Sequence, residues 1–390
     1  MASSQRKPVL FFGVNSEGMG HATRARPVIE ALSERYEVHV FCGGRARQFL
    51  SQYFPHVHNV WFCRLIYRNN TCNTRLTLIR SFLEGPYVLL SGAYVTLLAL
   101  LLRPVAIITD FESLTSWAGM LTFTKVVALD NQGLIKHGAL PPPASDDVGP
   151  AVVARRVMFW TSPVVHRTLI SSFYQPALRP GSDEKRVRYV PVAVRPHVLA
   201  RMGRTRTDGP VLVYQTSTSN QDLPGTLRQA ALGSSLRFVV YGAGRTDSDA
   251  DGRVQFRAFS EDGFLDDLCA APFVVVNGGH STIVEALALG KPVLAEPVRQ
   301  QYEQSVNVHG LEALGVGRGT RKLSVPDILS FAHDAEAMRT RAAALRVVDN
   351  DGLFHAVEKA VAEVNPARGL PPRLLPAARS RRAETASALP

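Results

Sequence analysis

Residues 273–307, FVVVNGGHSTIVEALALGKPVLAEPVRQQYEQSVN, constrain the fold more than any other stretch of the 390-residue chain. Residues 273–276 are a short apolar, β-branched run, the composition of a parallel strand covered on both faces. Asn277, Gly278 and Gly279 break it, and Ser281 and Thr282 are placed to cap a following helix. Gly290, Lys291 and Pro292 stop that helix, residues 293–295 return to the sheet, and Glu296, Arg299, Gln301, Glu303, Gln304 and Asn307 gather at the next strand end. The first-turn amides of such a helix, with its positive dipole end, face whatever lies at the carboxyl edge of the strand. A pyrophosphate suits that position. An ordinary βαβ unit with polar surface residues has the same order of elements, so the fold follows more directly than the ligand.

The amino-terminal half supplies a second loop of this kind. Residues 9–12, VLFF, read as a strand, and residues 13–21, GVNSEGMGH, lead into a helix expected near Ala22. A dinucleotide fingerprint needs a glycine where Asn15 stands, and a P-loop needs Lys-Ser/Thr where Met19 and Gly20 follow Gly18. Both common nucleotide grammars are therefore excluded. The loop instead offers one titratable group, His21, with Gly18 and Gly20 allowing a ligand close to the backbone and Arg24 able to neutralise a phosphate. The strand at 106–110 ends in Asp110 with Glu112 beyond it, and the strand at 126–130 ends in Asp130 and Asn131. Open α/β sheets bind ligands at their carboxyl ends, which puts Asp110, Glu112, Asp130 and Asn131 on one rim with His21. Asp110 either orients His21 or acts as the base itself, or caps the next helix.

The 273–307 stretch resembles the donor half of nucleotide-sugar glycosyltransferases of the GT-B fold, the superfamily of the peptidoglycan N-acetylglucosaminyltransferase and the UDP-glycosyltransferases. The matching positions are Gly278, Gly279, Ser281, Thr282, Glu285, Ala286, Gly290, Pro292, Glu303, Gln304 and Asn307. The GMGHATR segment is similar to the first loop of that superfamily, with Ser16 and Glu17 replacing its first glycines; Asn277 replaces a histidine of many members. The resemblance implies two Rossmann-like, doubly wound α/β domains facing across a cleft, the acceptor side first. It implies a nucleoside-diphosphate sugar donor, with UDP favoured, a hydroxyl acceptor that is a lipid, a glycan or a small metabolite, and inverting transfer without metal or other cofactor. By the same resemblance Glu285 bonds the ribose hydroxyls, the turn at 279–282 holds the diphosphate, and Glu303 with Gln304 grips the sugar. Phe259, just past a donor-half strand, is expected beside the nucleobase, and Gln301 and Gly20 border the donor. A sugar-nucleotide 2-epimerase or hydrolase, or a noncatalytic sugar-nucleotide binder, would share the donor features; His21 and Asp110 together favour an enzyme.

Alternating strand and helix signals divide the chain into an acceptor-binding domain at 1–195, a linker at 196–210, a donor-binding domain at 211–365 and a basic tail at 366–390 expected to be disordered. A hydrophobic share of 46% with 20% charged residues fits a soluble globular protein. Cys42, Cys63, Cys72 and Cys269 lack metal-ligand spacing and disulfide density, and residues 1–7 carry no secretion signal, so a cytoplasmic setting is expected. Asp247, Asp249 and Asp251 read as a solvated turn, leaving no metal-bridging D-x-D motif at a strand end. The net charge of +11 suits anionic nucleotides or lipid headgroups, whereas its scatter along the chain argues against nucleic acid. The sixteen apolar residues 87–102 fall short of the ~20 that cross a bilayer and are expected to form a buried helix, with peripheral contact at the inner membrane face as the lesser expectation. Oligomeric state stays open.

Overall fold

The computed structural model describes residues 7–62, 66–68, 71–215, 220, 222–249 and 251–371. The first half runs β1 (Val9–Val14), α1 (Met19–Ser33), β2 (Glu37–Cys42), α2 (Gly44–Leu50), β3 (Val57–Asn59), β4 (Tyr67–Arg68), β5 (Thr71–Cys72), α3 (Thr74–Leu102), β6 (Ile107–Asp110), α4 (Ser113–Leu121), β7 (Val126–Asp130), α5 (Gly133–His137), α6 (Val148–Thr161), β8 (Arg167–Ser171) and β9 (Val187–Val190). The short α7 (Pro196–Leu199) opens the connection. The second half runs β10 (Val211–Tyr214), α8 (Leu223–Leu232), β11 (Phe238–Tyr241), β12 (Val254–Arg257), α9 (Glu261–Ala270), β13 (Val274–Val276), α10 (His280–Ala288), β14 (Val293–Ala295), α11 (Tyr302–Ala313), β15 (Gly317–Gly319), α12 (Val325–Ala344) and α13 (Asn350–Val364).

Both main sheets are wholly parallel. The first has seven strands in the order β3-β2-β1-β6-β7-β8-β9, the second six in the order β12-β11-β10-β13-β14-β15. Helices cover both faces, which is why the strands read as continuous apolar runs: Leu10, Phe11, Phe12, Val274 and Val275 have no solvent exposure. In each sheet the winding reverses once, at β1/β6 and at β10/β13, and a crevice opens beyond the carboxyl ends there. His21 and Asp110 follow β1 and β6, and the Gly278 turn follows β13, so the reversals position the site.

Three expectations change. α13 carries the donor-side numbering of the 211–365 boundary, yet Leu353, Val357, Ala360 and Val361 join the core of the first sheet with Leu10, Phe12, Ile29 and Leu32. Arg35 bonds Glu358 at 3.0 Å and Arg188 bonds Glu363 at 2.6 Å, so the chain crosses back and ties the halves together. α1 starts at Met19, ahead of Ala22, behind Gly18 at φ 79°, a backbone state that glycine adopts without strain. The 87–102 segment belongs to a 29-residue helix that is not buried. Only a stripe, Ser91, Val95 and Ala99 among it, meets the sheet; Phe82, Leu89 and Leu101 are 84%, 76% and 67% exposed. A parallel sheet needs one helical stripe per crossover, and an all-round apolar helix leaves the remainder in solvent.

Candidate active site

β1 and β6 pair with Val14 opposite Asp110, which brings the loop after β1 against the end of β6. Asn15 fixes that loop by bonding the Phe111 carbonyl at 3.0 Å, and Phe111 sits at φ 54°, a strained turn that swings the chain away just behind Asp110. His21 Nδ1 lies 3.0 Å from Asp110 Oδ1, and Arg24 Nε donates to Asp110 Oδ2 at 3.0 Å while its Nη2 contacts Oδ1. Burial alone would raise the Asp110 carboxyl, but Arg24 and His21 outweigh it and bring it down to about 2. Arg24 Nη2 is also 2.8 Å from His21 Nδ1. Arginine only donates, so with the proton on Nδ1 the ring donates to Asp110, the Arg24 approach is a contact and not a hydrogen bond, and Nε2 is left bare.

Asp130 and Asn131 reach the same rim. Asp130 accepts from the Gly133 amide at 2.7 Å, and burial, with Asp110 and Glu303 nearby, pushes it up to about 6. Asn131 and Gln132 cross the cleft to Glu303 at 3.2 and 2.7 Å, and Asn131 bonds Asn307 at 3.0 Å. Glu112 departs from the expected rim position. It caps α4, accepting from the Leu114 and Thr115 amides at 2.8 Å each and from the Thr115 hydroxyl at 2.7 Å. Those three bonds make it the N-cap of α4 and occupy its carboxylate there.

In the second half Gly278, at φ 80°, turns the chain out of β13 against Gln304 and Asn307, whose amide donates to the Gly278 carbonyl at 3.0 Å. Ser281 and Thr282 do not cap α10: its N-cap is Gly279 and no side-chain bond is made there. Ser281 Oγ donates instead across the cleft to the Gly20 carbonyl at 3.0 Å. A Cβ on Gly20 would lie 3.0 Å from that hydroxyl oxygen, so glycine permits the approach. An uncapped helix start presents its first-turn amides to a ligand. Glu285, expected at the ribose, forms a buried fork with Arg195, both bonds at 2.8 Å, and Arg195 also reaches Glu261 at 3.0 Å. Gln304 accepts from the Val298 amide at 2.8 Å and donates to Gln301 at 2.5 Å, so this amide shapes the loop beside Glu303. Phe259 is 60% exposed against Phe264.

Two groups went unrecognised in the sequence. His280 is the first residue of α10, 4% exposed and stacked on Phe173, and neither ring nitrogen has a partner among the described residues. Burial holds its imidazole well below the ordinary value. Gln215, after β10, is 3% exposed with both amide atoms unpartnered, and Asn131 Oδ1 and Gln132 Oε1 are likewise unmatched among the described residues. Buried polar atoms left open are costly, and these six, on four residues around two facing crevices, suit a polar ligand. The signal for His280 lies in NGGHST itself, a histidine at a helix start beside two glycines.

The family described as Glycosyl transferase family 1 matches residues 9–334. The chain belongs to that family. An uncharacterized glycosyltransferase of Methanosarcina mazei is 31% identical over 107 residues, covering 26% of this chain and 28% of that protein. A Methanosarcina acetivorans relative, also an uncharacterized glycosyltransferase, is 36% identical over 76 residues, 20% of this chain and 19% of its own. The chain thus spans less than a third of the length of these curated relatives. Among solved structures, the kitacinnamycin glycotransferase superposes with a TM-score of 0.65 at 14% identity over 92% of this chain and 100% of its own. The calicheamicin glycosyltransferase does so at 0.61 and 15% over 92% and 99%. Phytolacca americana UGT2, in complex with UDP-2fluoro-glucose and pterostilbene, does so at 0.62 and 13% over 92% and 100%. This family 1 chain has their two-domain GT-B fold.

Proposed function

We propose that this family 1 protein transfers a hexosyl unit from a nucleoside-diphosphate sugar, UDP favoured, to an acceptor hydroxyl, with inversion and without a metal. The observation carrying this reading is the His21–Asp110 pair at 3.0 Å, joined through Gly20 and Ser281 to the uncapped start of α10. His21 Nε2 takes the acceptor proton while Asp110 steadies the imidazolium that forms. The acceptor oxygen bonds the anomeric carbon as the opposite bond to the diphosphate breaks. The departing charge meets the α10 amides, and an N–H of the buried His280 serves as a further donor. Asn131 and Gln132 carry open acceptor oxygens for sugar hydroxyls. The UDP-2fluoro-glucose held by the Phytolacca americana neighbour supports a uridine nucleotide.

The acceptor side carries its own support. By length and composition residues 75–102 of α3 could cross a membrane, but the stripe through Val95 docks this helix on the sheet. Phe82, Leu83, Leu89, Leu90, Phe159 and Trp160 stay exposed, with Arg155 and Arg156 exposed on α6. Apolar side chains with basic neighbours suit an anionic lipid surface. β5, just ahead of α3, bridges Arg299 of the donor half, so the helix begins at the cleft mouth. A lipid-linked acceptor at the inner face of the membrane follows from this reading. The test is turnover of UDP-sugars with lipid-linked and soluble hydroxyl acceptors, with NMR of the product's anomeric configuration. Nucleotide release independent of any acceptor, or retention of configuration, overturns the corresponding part.

A further inference from the structure

The geometry points to a divalent transition-metal site, of zinc type, formed by Glu37, His39 and His56, with His58 orienting His39. These residues lie outside the catalytic crevice. Glu37 is the first residue of β2, whereas the crevice lies beyond the carboxyl ends, and six residues of strand span roughly 20 Å at about 3.3 Å each.

β2 and β3 are parallel with Val40 opposite Val57, and the Val40 amide donates to the His56 carbonyl at 2.8 Å. That register sets His39 and His56 side by side, rings stacked at 4.7 Å and 7°, while Glu37 and His39, two apart on one strand, share a face. The ligand atoms of Glu37, His39 and His56 all lie within 4.8 Å of one another. Tetrahedral zinc with bonds of about 2.0–2.1 Å holds its ligand atoms about 3.3 Å apart. His39 Nε2 and Glu37 Oε1 are already at 3.2 Å, and His56, exposed to solvent, is free to swing inward. Two imidazoles and one carboxylate are a zinc donor set, with the fourth position left to water on the open side.

The surroundings of His39 strengthen the assignment. His39 is 6% exposed, its Nδ1 is 2.9 Å from His58 Nε2, and His58 Nδ1 is 2.8 Å from Tyr94 Oη on α3. Without metal, one consistent proton arrangement has Tyr94 donating to His58, His58 to His39, and His39 to Glu37. With metal on His39 Nε2 every tautomer reverses: His39 Nδ1–H donates to His58, and His58 Nδ1–H donates to the Tyr94 oxygen. Every hydrogen bond of the chain except the one to Glu37 survives the exchange, and a ligating histidine whose other nitrogen donates to a neighbour is how such sites fix their ligands. The bound ion would clip β2 to β3 and, through His58 and Tyr94, hold the exposed helix α3 in place.

The test is isothermal titration of the metal-stripped 390-residue protein with Zn2+, followed by a thermal-unfolding scan with and without Zn2+. One ion per chain and a raised Tm are expected. His56→Ala and Glu37→Gln, both away from the packed core, should each weaken binding at least tenfold, and His58→Ala should weaken it about 10- to 100-fold. His333→Ala, at a surface histidine far along the chain, should leave binding unchanged. Co2+ in place of Zn2+ should show the strong visible absorption of a tetrahedral site. Zinc binding that persists in a His56→Ala/Glu37→Gln double variant, or no saturable binding by the folded wild-type protein, overturns the site; unaltered affinity in His58→Ala overturns the orienting role. Transferase turnover of the His56→Ala variant should match wild type, since the site is remote from the cleft.

Discussion

Replacing Asp130 with Asn should make the protein more stable at neutral pH, and by an amount that grows with pH. Asp130 is 5% exposed, and its carboxyl titrates near 6 where an unstructured aspartate titrates at 3.8. Between those values the folded protein retains a proton that the unfolded chain has released. Stability therefore falls as pH rises from about 4 to 6 and stays reduced above. The interval corresponds to about 3 kcal/mol, at about 1.4 kcal/mol per pH unit. Asparagine keeps the Oδ1 acceptor for the Gly133 amide, now 2.7 Å away, and removes only the charge. Asp110 has the opposite sign: its stabilisation is present above 3.8 and is lost as pH falls towards 2, outside the window. Urea unfolding of both proteins from pH 4 to 8 should give equal stabilities near pH 4 and a gap of about 3 kcal/mol at pH 7.5, or a Tm gain of about 6–12 °C for domains of this size. Turnover should fall at the same time, because a destabilising buried charge is retained where function uses it. A gap independent of pH, or a variant less stable at pH 7.5, refutes the reasoning.

Other outcomes follow from the same geometry. His21→Ala should lower kcat about 10²- to 10⁴-fold with little change in donor affinity, read by steady-state kinetics and nucleotide titration, and Asp110→Asn should act in the same direction. Arg195→Ala strands Glu285 as a buried, unpaired carboxylate and should cost about 3–5 kcal/mol in urea unfolding, whereas Arg201→Ala, at an exposed pair with Asp266, should cost under about 1 kcal/mol. Phe82→Asp or Leu83→Asp should reduce binding to anionic vesicles at least about tenfold, since each buried side chain is worth about 1.5–3 kcal/mol, while turnover of a soluble acceptor stays unchanged in sedimentation and kinetic assays.

The parallel strands were readable because burial on both faces demands continuous apolar, β-branched runs, as at 211–214, 274–276 and 293–295. β8 and β15 were not. β15 is Gly-Arg-Gly, with no strand propensity of its own; a Cβ at Gly317 would lie 2.4 Å from the Val293 carbonyl and one at Gly319 would lie 2.2 Å from Val308, so tight packing selects the glycines. That His21 and Asp110 meet was legible from their places at strand ends, but the role of Glu112 was not, since a carboxylate two residues past a strand serves equally as a rim group or a helix cap.

The sequence alone determined the βαβ units, the two glycine turns at helix starts and the titratable groups next to them, because these depend on neighbours within a few residues. Only tertiary structure decided that α13 belongs to the first core, that Arg195 pairs with Glu285 and that His280 is buried with no hydrogen-bond partner among the described residues. It also decided that α3 keeps its apolar face in solvent. Each of those depends on which side chain a distant segment brings near, and burial, pairing and proton affinity are properties of that assembled environment.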